Sequence, residues 1–126
     1  MGKLLILITA ALISTSAHSY SADELARGLD GGGDHIDKLK ASSFVLGWYR
    51  GFEVAHIQAK AINKLENPNA NYVTFTCIPE GTSVNTLVRV FLKHVNDNPQ
   101  ESHEDAGAVL GSAVIKAYIC PEYLTK

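Results

Sequence analysis

The sequence predicts an all-α fold: a small single domain of four to five helices with one disulfide and a short extended segment before Cys77. Two observations carry this. Apolar residues recur at three- and four-residue spacing along several stretches, the period of a helix face. Clusters of Gly, Pro and Asn separate those stretches and mark turns. The only two cysteines, Cys77 and Cys120, stand 43 positions apart, each just before or within reach of a Pro-Glu pair.

The first residues are read apart from the fold. Lys3 is followed by an apolar run from Leu4 to Ile13, and then by the small residues of "STSAHS". This is the pattern of a secretory signal peptide, and the run is too short to span a bilayer. An amphipathic first helix would need a polar face that the run lacks. Ala17 and Ser19 suit the minus-three and minus-one positions, so residues 1–19 are assigned to the signal and 20–126 to the domain; cleavage after Ala17 is the alternative. No cysteine closely follows the run and no second long apolar segment occurs, so no membrane anchor is expected.

The mature chain carries 13 acidic residues against 10 basic ones once Lys3 is removed. With no basic patch, nucleic acid is not an expected partner. An exported chain with two cysteines ordinarily forms one disulfide. Zinc is disfavoured because neither cysteine has a CxxC or a close His.

Element by element, Ser21 caps a first helix over about 22–29, which Gly31, Gly32 and Gly33 end. Asp30, Asp34 and Asp37 do not match the alternating acids of a calcium loop and read as a solvated linker. The second helix is expected from about Lys40 to Lys64, with Phe44, Trp48, Phe52, Ala55, Ala59 and Ile62 as its apolar stripe. Gly47 and Gly51 inside it cost about 1 kcal/mol each against Ala, which asks for a packing reason. An Asn-rich loop, 63–73, carries Tyr72 and leads through "YVTFT" to Cys77. Pro79 and Gly81 punctuate the chain before Thr82 or Ser83 caps a third helix, whose stripe is Val84, Leu87, Val88, Phe91 and Val95. "NDNPQES" ends it, with Pro99 after the stop. Ser102 as N-cap and Asp105 as an acidic N3 predict a last helix over about His103 to Ile119, with Leu110, Val114, Ala117 and Tyr118 facing the core. Gly107 and Gly111 again stand four apart. Both glycine faces are expected in close helix–helix contacts, with each other as one arrangement.

No catalytic set emerges. His35, His56, His94 and His103 are scattered, and no nucleophile, metalloprotease or phosphate-binding motif is present. The chain reads as a non-enzymatic binding module without cofactor or metal. Its candidate contact segments are the Asn-rich loop with Tyr72 and the acidic loop 97–105. The latter bears Asp97, Glu101, Glu104 and Asp105 and no Lys or Arg, which suits a basic partner.

Three segments in order, "FVLGWYRGF", "CIPEGTSVNTLVRVFLKHVNDNP" and "AGAVLGSAVIKAYIC", resemble the Rap/Tai family of type VI secretion immunity proteins. The resemblance runs from about Phe44 to Cys120. Cys77, Pro79, Gly81, Pro99, Gly107 and Cys120 match as structural positions; where a family loop bears His-Pro, this chain has Asn-Pro. The resemblance implies a periplasmic, mainly helical, commonly homodimeric protein that blocks a peptidoglycan amidase toxin by placing a loop over its groove. Its motif does not locate the contact residues. The acidic loop, Asn98, Gln100, Glu101, Ser102, His103 and Glu104, is the first expectation, and Tyr72 the second. The alternative from another class is a small periplasmic helical chaperone or stress protein. A bond between Cys77 and Cys120 is expected to hold the last two helices as a hairpin and to fix the base of loop 97–105.

Overall fold

The computed structural model describes residues 19–66 and 76–121. Within them the chain forms four α-helices: α1 (Ala22–Leu29), α2 (His35–Glu66), α3 (Val84–Asp97) and α4 (Ala106–Ala117). A single 3₁₀ turn, Pro99–Glu101, lies between α3 and α4. The signal segment, most of the Asn-rich loop with Tyr72, and Tyr72–Phe75 of the extended segment fall outside the described residues. Thr76, at that segment's end, pairs with Ile119 in an isolated antiparallel bridge.

The helices begin where local chemistry can satisfy their free amides. Ser21 and Glu24 form a capping box, Glu24 N–H donating to Ser21 Oγ at 3.2 Å and Ser21 N–H to Glu24 Oε2 at 2.9 Å. α1 ends at a turn in which Gly31 takes φ +85°, a left-handed conformation that glycine adopts without penalty. α2 starts earlier than its stripe suggests. Asp34 is not linker: its Oδ1 accepts from the Asp37 amide at 2.9 Å and so acts as the cap. Ser83, not Thr82, caps α3 through the Thr86 amide. Before it, Pro79 to Thr82 makes a turn closed by Thr82 N–H to Pro79 O, with Gly81 at φ +80°. α4 starts at Ala106 with Asp105 as N-cap, its carboxylate accepting from the Ala108 amide; Ser102 is spent on a different bond.

The core lies where α1, α3 and α4 meet the first half of α2. Leu25, Val45, Leu87, Phe91, Leu110 and Val114 are fully buried there, with Ala22, Ala41 and Ala106 between them. α3 follows its predicted stripe and adds His94 on the same face. Three expected core positions are solvent-exposed instead: Ala55, Ile62 and Ala117. For the first two the reason is length. At 32 residues α2 is about 48 Å long, while its partners α1, α3 and α4 have 8, 14 and 12 residues. Its second half therefore runs past the helices that bury its first.

The glycine pairs do not meet. A Cβ on Gly47 or Gly51 would find nothing within 4 Å. On α4, Gly107 and Gly111 lie under the Trp48 ring, where added Cβ atoms would stand 3.8 and 3.6 Å from it. The close approach is at Gly28, where a Cβ would come 2.7 Å from Ala41 Cβ and 2.9 Å from Asp37 O. A glycine near the end of a helix reads as a stop; here it lets α2 cross α1.

Cys77 and Cys120 form a disulfide, with the Cys77 amide donating to Tyr118 O at 2.7 Å. The bond joins the start of α3 to the end of α4, so it closes the open end of that hairpin. The connecting loop lies at the other end, a helix length away, about 21 Å for the 14 residues of α3. The expectation that the disulfide fixes the base of loop 97–105 is therefore corrected; other contacts hold that loop.

Candidate functional site: the acidic arch and the projecting helix

The arch between α3 and α4 is built from its backbone outward. Asn98 ends α3, and its backbone and side-chain amides both donate to His94 O, at 2.9 and 2.8 Å. Pro99 opens the 3₁₀ turn, where its missing N–H costs nothing. Glu101 N–H returns to Asn98 O at 3.0 Å. Beyond the turn, the carbonyls of Ser102 and Glu104 accept from the first two amides of α1, Asp23 at 2.8 Å and Ala22 at 2.9 Å. Tyr20 O accepts from the Ala106 amide, and Ser21 pairs with Asp105 in an antiparallel bridge. The arch thus caps α1, and the N-terminal segment clamps the arch.

Side chains divide into two sets. Gln100, His103 and Glu104 are exposed at the crest, with His103 Nε2 3.5 Å from Glu104 Oε1. Glu101 turns inward, its Oε2 2.8 Å from Nε2 of His94, whose imidazole is buried. The His94 hydrogen bond holds the Glu101 carboxyl below its ordinary range; the attraction of His94 and Lys116 adds to this against partial desolvation. Asp105 is also lowered, first by the hydroxyl of Ser19 at 2.6 Å and then by the Ala108 amide. Tyr20 is shifted the other way: burial beside Phe44 raises its hydroxyl, and Asp37 and Glu24 add to it.

His94 and its role escaped the sequence reading, though a signal existed. Residue 94 lies three after Phe91, on the apolar stripe, where a lone polar residue asks for a partner. Glu101 was counted with the outward acids because a loop sequence carries no period that tells inside from outside.

A second surface lies on α2. Of the nine exposed large apolar side chains among the described residues, seven are on this helix. Ile36, Gly47, Val54 and Leu65 share one side, opposite the buried Val45. The inner side of the second half carries a stack of Trp48, Phe52 and His56, with ring centroids 5.6 and 6.2 Å apart. Between it and the turn at Ile78–Pro79 is a cleft of about 910 Å³. Among the described residues no group of three or more His, Cys, Asp or Glu is placed to hold a metal ion. No helix there is long and apolar enough to cross a membrane.

Comparison with curated proteins and with solved structures returns no match. One family model does match, that of the Rap1a immunity proteins, over residues 19–120. That interval holds all four helices, the arch, both cysteines and the Ser19 contact to Asp105. On this coverage, the helical disulfide-bonded chain with its clamped arch belongs to the Rap1a immunity protein family.

Proposed function

We propose that this chain is a periplasmic, non-catalytic immunity protein that occludes a type VI secreted peptidoglycan amidase, and that the acidic arch makes the contact. The observation that carries the reading is the arch's construction. Its backbone is anchored to both α1 and α3, while Gln100, His103 and Glu104 stand free at its crest. A loop held this way loses little conformational freedom on binding, which favours affinity. Its acids favour a basic rim around the partner's groove. The disulfide agrees with an oxidising compartment.

The test is protection. Cells expressing the chain with an export signal should survive the product of the adjacent amidase gene delivered to the same compartment. Replacing Gln100 with Arg and Glu104 with Lys together should weaken binding at least tenfold with melting unchanged. Undiminished binding by that variant would move the contact off the arch.

We also propose a homodimer through the outer face of α2. Ser43, Gly47, Gly51 and Ala55 form an exposed groove of small residues at four-residue spacing. Leu46, Arg50 and Val54 form the adjacent exposed ridge. Ridge into groove between two copies satisfies both at once, as an isologous pair requires. Val54→Lys should give monomers by light scattering, with monomer stability within about 0.5 kcal/mol of the parent.

A further inference from the structure

His94 is a buried polar residue on the core face of α3, one turn beyond fully buried Phe91. An apolar side chain there would carry no desolvation cost, whereas a buried imidazole must be paired. The pairing spans the arch. The His94 carbonyl takes both amides of Asn98, at the arch's entry, and its ring takes Glu101, at the end of the 3₁₀ turn. Two contacts from one residue therefore fix the four-residue step from which the chain proceeds to the Ser102 and Glu104 carbonyls on α1.

We infer that His94 is the positioning residue of the arch, and that gain of a proton by its ring tightens the hold on Glu101 and with it the cap on α1. The neutral ring donates Nε2–H to a carboxylate. The imidazolium makes the same bond with full charge, which is shorter and stronger. The surrounding charges leave this pair to itself. Lys116 of α4 reaches Glu101 from outside. Lys93 and Asp97 of α3 pair with each other at 2.6 Å, and Asp23 and Arg27 of α1 pair at 3.2 Å. Glu24 lines the neighbouring surface with Ser102 and His103, and its carboxylate accepts from Ser21. His103 faces Glu104, not Glu101. Because Glu101 stays ionised below the usual carboxylate range, the charged pair has a pH window below the histidine range and above Glu101's own titration.

The inference concerns the regulation of the arch and rests on the proposed function only for its consequence, that partner binding follows the same proton. Its test uses the isolated protein. Amide exchange of Ala22 and Asp23 is followed by NMR between pH 5.5 and 8 and expressed as protection, which removes the intrinsic pH dependence. Protection should rise about fivefold toward pH 5.5, the change expected when a neutral hydrogen bond becomes a charged one. In His94→Gln, which keeps a donor but cannot titrate, the profile should be flat. Glu101→Gln supplies the second variant: it should also flatten the profile, with melting close to the parent. A flat profile in the parent overturns the inference, as does a rise that persists in either variant. Failure of the amidase reading would appear elsewhere, as absence of protection in cells, and would leave these exchange profiles untouched.

Discussion

The two ends of this molecule solve opposite problems. At the arch, a polar loop that could have been loose is tied down: its carbonyls cap α1, its turn is closed on α3, and an acid is drawn inward to a buried imidazole. Along the second half of α2, a helix that could have been buried is left open, with Val54, Ile57 and Leu65 exposed and Gly51 facing nothing. The difference separates two meanings of an interaction surface. A polar segment binds well when its shape is already fixed, because ordering it later would cost free energy. An apolar helix face needs no such preparation, because the helix itself is rigid and the drive is area removed from water.

Removing the disulfide is the largest expected perturbation and tests how independent the two ends are. Cys77→Ala with Cys120→Ala should cost roughly 4 kcal/mol in the chain-entropy account for a loop of this span, read as a drop in the denaturation midpoint. Because the bond lies at the hairpin's far end, the pH response of Ala22 and Asp23 exchange should survive in that variant wherever it remains folded. Next comes Gly28→Val. The new side chain would meet Ala41 and the Asp37 carbonyl at the crossing of α1 and α2, and overpacking of this kind costs about 1–3 kcal/mol by thermal melting. Ser21→Ala removes the capping box and should cost about 1 kcal/mol. Its exchange signature should be confined to the first turn of α1, at the arch end.

The smallest effect is a titration. Glu101 and Asp105 both have lowered carboxyl values, so each stabilises the fold above its unfolded value, and that contribution disappears as pH falls through the folded one. Carboxyl-carbon NMR should place their midpoints below the ordinary 4.5 and 3.8. For Asp105 the first cause is the Ser19 hydroxyl. A chain beginning at Tyr20 should therefore titrate Asp105 closer to its ordinary value than one that retains Ser19, while Glu101 stays put.

Much of this was legible in the sequence. The bounds of α1 and the stripe of α3 follow from caps and spacing, and the cysteine pairing from count and compartment. The errors share one cause: periodicity reports which residues could face a core, not whether a core is there. Ala55 and Ile62 keep helical register with Phe44 and Trp48 but lie past the ends of the partner helices. Gly47, Gly51, Gly107 and Gly111 were grouped by spacing, yet one pair is open and the other receives Trp48. At the arch, the segment was found by its charge, but the inward turn of Glu101 depends on His94, seven residues earlier on another element. Backbone capping of α1 by Ser102 and Glu104 has no signature in side-chain identity at all.

The clamp on the arch also bears on how the chain comes to fold. Residues 20–23 bond to residues 102–106, so the last pairing of the domain joins its first residues to some of its latest. Such long-range closure is slow, because the chain's entropy must be surrendered before the contact repays it. For a chain threaded across a membrane while its leading end is still held, the register that completes α1 and the arch is out of reach. The native state then forms only on release, on the side where the disulfide can also close. A protein assembled in that order is delivered unfolded and becomes competent to bind only at its destination.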